Sequence, residues 1–358
     1  GAIDFIYNTL DLCGFKIDEG PNNEGNFGPY IQSKRKDIYK EYALKLVEMG
    51  KAYYCFCSEE ELSKMREKAD ARKKPFLYDG RCSRLSKEII EENLKNNVPY
   101  VIRQKMPKEG VTIVEDLIYG KVKIDNSILD DQILLKSDGF PTYNFANVID
   151  DHLMEITHVI RGKEYLDQTA KYNLLYEAFG WEKPTYIHVA MVLGEDGNKL
   201  SKRNGDASFM DLYNEGYLPE AIVNYLSLLG WSPESNQEIF SMEELISNFR
   251  ISKSSSGYDV KKLKWFNHQY INKMDDETYL NWIKKYFSNE CDKSEEWLNH
   301  LLLIYKSHLN YIDSLLPYYL KTLEVLIHHY TVPVALAKSV DDAPEVFRPG
   351  LKRMLSKI

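Results

Sequence analysis

The 358-residue chain lacks any apolar run near the ~18 residues a membrane helix needs. That excludes a helical membrane span and a membrane partner is not expected. Its N-terminus, "GAIDFIYNTL", lacks a basic n-region and a cleavage pattern, so no signal peptide is expected. That segment starts abruptly inside what reads as an amphipathic helix, so further sequence is expected upstream of Gly1. Cysteines are few and odd in number, five in all, which argues against a secreted disulfide scaffold and for a reducing, cytoplasmic setting. Internal repeats and low-complexity segments are missing as well. The balance also lacks positive charge: 54 acidic against 46 basic residues give a net −8. Taken alone this argues against nucleic acid, although a large acidic body can carry a local basic face. Local clusters exist at Lys34-Arg35-Lys36, Arg72-Lys73-Lys74, Lys261-Lys262 with Lys264, and Lys284-Lys285. Each is also compatible with an ordinary solvated surface.

What is present first is periodicity. Residues 35–49 place Ile38, Tyr42, Ala43, Leu46 and Val47 at helical spacing before Gly50. Ser58 and Glu61 form a capping box that opens another helix. Residues 98–106 alternate like a strand, and 110–125 read as strand, turn, strand, with Gly120 at the turn. Residues 50–135 therefore read as a mixed α+β unit. The pattern then changes. A buried-strand run at 156–160, a helix in "LDQTAKYNLLYEAFGW" and a strand at 185–193 predict a βαβ unit and a parallel sheet. Such sheets bind ligands at the carboxyl ends of their strands. Arg161 and Glu164 fall just past one predicted end, and Lys199 to Arg203 just past the next. From 208 onward the chain reads helical, with Pro219 at a first helical position, Gly230 at a C′ stop and a second capping box at Ser241 and Glu244.

The segment "NKLSKRNGDA" (198–207) carries two lysines three apart around a serine, after the glycine-bearing turn "GEDGNK". A lysine ammonium is a compact charge suited to phosphate. A short loop can deliver it where charge develops on a leaving pyrophosphate. The same pentapeptide also suits a solvated surface loop.

"KLSKR" resembles the Lys-Met-Ser-Lys-Ser signature of class I aminoacyl-tRNA synthetases, in the form common among bacterial-type glutamyl-tRNA synthetases. "GPYIQSKRKDIY" (28–39), "AYYCFC" (52–57), "YDGRC" (78–82), the long block at 134–166 and "YDVKKLKWFNHQYI" (258–271) resemble that family's blocks, in its order. The resemblance covers about residues 1–275. It implies an α/β fold, a Rossmann-type parallel sheet split by an α+β insertion and followed by helical stem-contact and anticodon-binding domains. The implied division is a catalytic domain over 1–49 and 136–197, an acceptor-binding insertion over 50–135, a stem-contact domain over 198–284 and an anticodon-binding region over 285–358. The implied reaction makes glutamyl adenylate from L-glutamate and ATP with Mg²⁺, then transfers the glutamyl group to the terminal adenosine of tRNA(Glu). A monomer is expected.

Residue roles follow from the same resemblance. Lys202 would stabilise the leaving pyrophosphate, with Lys199 and Ser201 supporting the loop and Arg203 beside ATP. Arg161 matches the arginine that clamps the substrate's side-chain carboxylate. A guanidinium fork pairs a carboxylate bidentately and would be left unpaired against an amide. Arg161 could instead pair with Asp150 or Asp151. Tyr143 and Asn147 match residues that position the amino acid. Glu164 and Tyr165 match positions near the ATP ribose and adenine, where the family often has tryptophan in place of Tyr165. The family's His-Ile-Gly-His motif is absent, the first histidine being His152; that motif is expected upstream of Gly1. Cys55, Cys57 and Cys82 resemble a zinc knuckle found in some members. The usual last histidine is missing, but Tyr78 stands four residues before Cys82, as in a tRNA-modifying branch of the family. Three thiolates and a phenolate could hold Zn²⁺, or the group could be free or buried thiols. Cys13 and Cys291 read as structural. Two other readings stay open. One is the shorter paralogue that glutamylates queuosine on tRNA(Asp), against which stand the ~150 residues after the signature. The other is a non-catalytic tRNA-binding paralogue.

Overall fold

Residues 158–189 fold as strand, helix, strand. Strand β6 (His158–Gly162) lies parallel to β7 (Thr185–Val189), and helix α6 (Leu166–Phe179) connects them. The computed structural model describes residues 2–194, 197–200, 208–253, 257–286 and 295–312. They fall into two compact units, Ile17–Ala190 and Gly1–Lys16 with Met191–Ile358.

The 17–190 unit holds two sheets. Strands β1 (Ala52–Cys55), β2 (Val101–Gln104) and β5 (Ile133–Leu135) pair antiparallel in the order β1-β2-β5. The hairpin of β3 (Val111–Asp116) and β4 (Gly120–Asp125) joins the parallel pair, in the order β4-β3-β7-β6. A single parallel bridge, Asp116 to Tyr186, makes that junction. The strand–turn–strand expected at 110–125 is therefore present, and Gly120 takes the positive φ of 70° its turn needs. It shares a sheet with residues 158–189, which the alternation pattern alone does not reveal. Thr112, Val114 and Asp116 face inward while Val111, Ile113 and Glu115 face out, the period-two signature of a half-covered strand.

The main core gathers α2 (Lys36–Glu48; Tyr39, Ala43, Leu46), α5 (Tyr143–Leu153; Phe145, Ala146, Val148, Ile149) and one face of α6 (Tyr172, Leu175, Tyr176). The opposite face of α6, Leu166 and Ala170, packs on Met106, Val114, Ile124 and Leu129. A helix buried on both sides has no single apolar stripe. Two strands differ from the pattern in extent. The first runs 158–162 rather than 156–160, because pairing with β7 begins at His158 and Thr185. Arg161 is therefore inside the strand, not past it. The second ends at Val189 rather than at 193.

The other unit is helical among its described residues. Helix α8 (Pro219–Gly230) starts with proline in its first turn, as expected. Its end departs from expectation: Gly230 is the last helical residue, and the chain leaves through extended Trp231 (φ −147°). Burial of Trp231 against Phe240 and Leu245 fixes that exit, so no left-handed glycine cap is needed. The Ser58 and Ser241 capping boxes both form. Helix α10 (Val260–Lys273) is capped by the Asp259 side chain on the N–H groups of Lys261 and Lys262. Its Asn267 is fully buried. It accepts from the N–H of Leu218 and donates to the carbonyls of Gly216 and Asn310, tying three segments together.

Candidate active site and candidate metal centre

Arg161 sits on β6, its Cα paired with that of His188 on β7. The guanidinium donates to the Tyr143 hydroxyl at 2.7 Å and lies 4.1 Å from the Tyr165 ring centroid, 5.3 Å from Tyr172 and 5.7 Å from Tyr143. Tyr143 opens α5, Tyr172 lies on α6, and Tyr165 closes the 3₁₀ turn Lys163–Tyr165 between β6 and α6. Three elements thus converge on one cation. Aromatic faces favour a guanidinium and keep it planar and oriented.

Of the two carboxylates that could have neutralised Arg161, Asp150 is engaged elsewhere and burial makes Asp151 harder to ionise. Asp150 accepts from Arg35 Nε at 2.8 Å and from the Tyr39 hydroxyl at 2.7 Å. Arg35 is only 2% exposed, so the 34–36 cluster is not a simple basic surface. Asp151 is pushed up to about 6 by burial, with Asp150 adding to the effect and Arg161 opposing it. Asn147, one turn after Tyr143, has a buried Oδ1 with no partner among the described residues. Tyr186, also buried, has a hydroxyl with no partner among the described residues. Buried polar atoms left open beside an available guanidinium fit a polar ligand that carries both a carboxylate and an N–H donor.

Supporting residues that the sequence did not single out lie behind this cradle. Tyr172 donates to Asn144 Oδ1 at 2.8 Å, Asn144 to Gln132 at 3.2 Å, Gln132 to Gln104 at 2.7 Å and Gln104 to the Lys171 carbonyl at 3.2 Å. This amide ladder crosses from α5 to the three-stranded sheet and back to α6. Gln104 and Gln132 are buried polar side chains that no local pattern marks.

Glu164 lies in the same 3₁₀ turn as Tyr165, its carboxylate against Gly162, where a Cβ would force it to move. Lys199 belongs to the helical unit. There, Leu193 and Lys199 form an antiparallel bridge, and Gly197 takes a φ of 75°. Leu193 is tied to the start of α10 by a Leu193–Gly257 bridge and by the Tyr258 N–H donating to its carbonyl at 2.7 Å. Ser201, Lys202 and Arg203 lie outside the described residues.

Cys55, Cys57, Tyr78 and Cys82 are brought together. Cys55 ends β1, Cys57 precedes the cap of α3 (Glu59–Ala71), and Cys82 lies on the 3₁₀ turn Arg81–Arg84. The Tyr78 oxygen is 3.4 Å from Cys55 Sγ and 3.2 Å from Cys57 Sγ, and Cys57 and Cys82 sulfurs are 3.5 Å apart. All three sulfurs lie within 4.8 Å of one another. A tetrahedral zinc with Zn–S bonds of about 2.3 Å spaces its sulfurs about 3.8 Å apart, so the donor set fits. Cys82 keeps its proton and donates it in a hydrogen bond to Cys55, which pushes Cys82 up and draws the Cys55 thiol down, helped by Tyr78 and Arg103 against burial. The Arg103 guanidinium also lies 4.2 Å over the Tyr78 ring.

Residues 1–265 match the catalytic-domain family of class I tRNA synthetases for glutamate and glutamine. The chain belongs to that family. It is similar to the glutamate–tRNA ligase of Clostridium novyi (strain NT), 56% identical over 305 residues, 84% of this chain and 62% of that one. It is also 48% identical over 363 residues to that of Clostridium botulinum (strain Hall), covering all of this chain and 74% of the relative. The chain thus spans about three-fifths to three-quarters of these relatives' length. Among solved structures, the glutamate-tRNA synthetase of Elizabethkingia anophelis superposes with a TM-score of 0.82 at 37% identity, over 88% of this chain and 70% of that one. A glutamate tRNA ligase from Elizabethkingia meningosepticum, solved in complex with its amino acid, gives 0.82 at 34% identity over 95% and 76%. These matches carry the mixed α/β fold with parallel strands expected from the sequence. No helix among the described residues is long and apolar enough to cross a membrane.

Proposed function

We propose that this chain is part of a glutamate–tRNA ligase, in which ATP and glutamate form glutamyl adenylate and tRNA(Glu) then accepts the glutamyl group. The observation that carries the reading is Arg161, cradled by Tyr143, Tyr165 and Tyr172 while Asp150 is held by Arg35. A guanidinium so placed is open to the side-chain carboxylate of glutamate, and its donors would be left unpaired against the amide of glutamine. The open Oδ1 of Asn147 suits the substrate's ammonium group, and Tyr143 orients the fork. The first bond formed joins the α-carboxylate oxygen of glutamate to the α-phosphorus of ATP, and pyrophosphate leaves. Lys202, with Lys199, Ser201 and Arg203 in the same loop, would balance the charge on that leaving group. Glu164 and Tyr165 would meet the ATP ribose and adenine. Mg²⁺ accompanies the ATP. The ribose hydroxyl of the terminal adenosine then attacks the acyl carbon and AMP leaves.

The division into catalytic (1–49, 136–197), acceptor-binding (50–135), stem-contact (198–284) and anticodon-binding (285–358) parts is proposed with it. So are a cytoplasmic setting, a monomeric state and Zn²⁺ on Cys55, Cys57, Tyr78 and Cys82, where it would brace the base of α3. The test is ATP–pyrophosphate exchange with tRNA(Glu) and tRNA(Gln) on full-length protein. Glutamate-dependent exchange supports the reading; exchange with glutamine instead of glutamate would overturn it.

A further inference from the structure

A buried polar chain lies behind the Arg161 cradle and touches no surface. Asp116, the last residue of β3, and His188 on β7 both have side chains 0% exposed. Asp116 Oδ1 accepts from the N–H groups of Ile118 at 2.9 Å and Tyr119 at 2.8 Å, which closes the turn of the β3–β4 hairpin. Its Oδ2 accepts from the His188 backbone N–H at 2.9 Å and faces His188 Nδ1 at 2.7 Å. On the other side of the ring, His188 Nε2 faces Thr169 Oγ1 at 3.1 Å, and that hydroxyl donates to the Tyr165 carbonyl at 3.0 Å. Burial by itself would raise the Asp116 pKa. The Tyr119 N–H, the His188 ring and the other donors outweigh it and hold the carboxyl below its ordinary value. The carboxylate is therefore a strong acceptor, and Nδ1 is the ring atom of His188 that meets it.

Such a chain is expensive in a core unless every member has a job for its hydrogen bonds. Apolar side chains would pack here at no such cost. What the chain joins is informative. One end fixes the hairpin turn. The middle sits on β7, directly beside Arg161 on β6. The other end holds the carbonyl of Tyr165, whose ring is the closest aromatic face to the Arg161 guanidinium.

We propose that Asp116, His188 and Thr169 form a positioning relay that fixes Tyr165, and through it the Arg161 guanidinium, in the orientation that receives the substrate carboxylate. The relay rests on the glutamate reading above. None of the three is a catalytic residue. Their role is to restrict where the fork points, so their loss weakens recognition of glutamate more than the chemical step.

The test uses full-length enzyme and the pair Thr169→Val and Thr169→Ser. Valine keeps the shape and removes the hydroxyl, while serine keeps the hydroxyl. The expected result is a glutamate KM raised about 10-fold or more in Thr169→Val, with kcat and the ATP KM within about threefold of wild type. Thr169→Ser should restore the glutamate KM. A wild-type glutamate KM in Thr169→Val overturns the relay. So does an equal loss in both variants that tracks a lower melting temperature, since that is a purely structural effect. If Thr169→Val does not fold, ¹⁵N NMR of the wild-type His188 imidazole decides. A shift of its Nε2 signal on saturation with glutamate supports the relay, and an unmoved signal overturns it. Failure of wild-type protein to activate glutamate at all overturns the functional reading itself, a result separate from any variant.

Discussion

Arg35 and Asp150, 115 positions apart in sequence, form a closed pair: Arg35 Nε donates to Asp150 Oδ1 at 2.8 Å while Nη1 reaches the Pro29 carbonyl at 3.1 Å. This pair withholds from Arg161 one of the two carboxylates it could have met. It also ties the start of α2 to α5, so it contributes to the cradle and to the core together. Removing one partner of a buried pair strands the other. Arg35→Ala is expected to cost about 3–5 kcal/mol of stability, read in denaturant melts. Arg35→Lys should recover only part of it, since one ammonium cannot serve both Asp150 and the backbone carbonyls.

Arg161→Ala should abolish glutamate activation while tRNA binding stays near wild type. Truncating one side of a desolvated charge pair costs roughly 2–5 kcal/mol, enough to erase measurable exchange. Arg161→Lys should remain strongly impaired, because lysine keeps the charge but loses the planar fork and its fit to three aromatic faces. Pyrophosphate exchange and filter binding read the two quantities. Unchanged glutamylation in Arg161→Ala would sink the clamp.

Lys202→Ala should lower kcat for adenylate formation by roughly 10²–10³, the scale for losing one transition-state donor. Glutamate KM should move little. A change confined to glutamate KM would contradict a role at the leaving pyrophosphate.

Asp151 makes stability depend on pH. Its folded pKa, about 6, lies above the ordinary value of 3.8 because burial disfavours the carboxylate. The folded state therefore binds more protons than the unfolded chain between pH 4 and 6, and stability falls as pH rises through that window. The loss amounts to no more than about 3 kcal/mol. Asp151→Asn should flatten this stretch of the profile and be the more stable protein at pH 8. A wild-type profile that rises from pH 4 to 6 by the amount the variant lacks would contradict this sign.

Purified protein should carry about one equivalent of zinc by elemental analysis. Cys82→Ser should lose it, and chelation of the wild type should lower the melting temperature to that of the variant. Metal-free protein with an unchanged melting temperature would favour three simple thiols.

Much of this was legible in the sequence, and the exceptions share a cause. Helical spacing, the capping serines and the hairpin glycine are local signals, and they place α2, α3, α9 (Met242–Asn248) and the β3–β4 turn. Resemblance placed Arg161, Tyr143 and Asn147 in one neighbourhood before any coordinates. Tyr172 was missed because α6 is buried on two faces, so a functional tyrosine there looks like any core tyrosine. Asp116 and His188 were missed because 72 positions separate them and only the sheet brings them into contact. The Gly230 stop misled because a tertiary contact of Trp231 outweighed a local preference. Likewise, the basic run at 34–36 concealed a buried ion pair.

Trp181 is the sole tryptophan in the stretch 17–190. It stacks on His152 at 3.7 Å and on Phe179 at 4.1 Å, both nearly parallel. Burial holds the His152 pKa below its usual value, which favours the neutral ring. An imidazolium quenches an indole it stacks on, and a neutral imidazole does so far less. The fold has thus set an emitter against a proton-controlled quencher at the C-terminal ends of α5 and α6, within the unit that carries Arg161. With the other tryptophans replaced, the brightness of this one indole becomes an optical gauge of that helix pair, readable at micromolar concentration and on the millisecond scale.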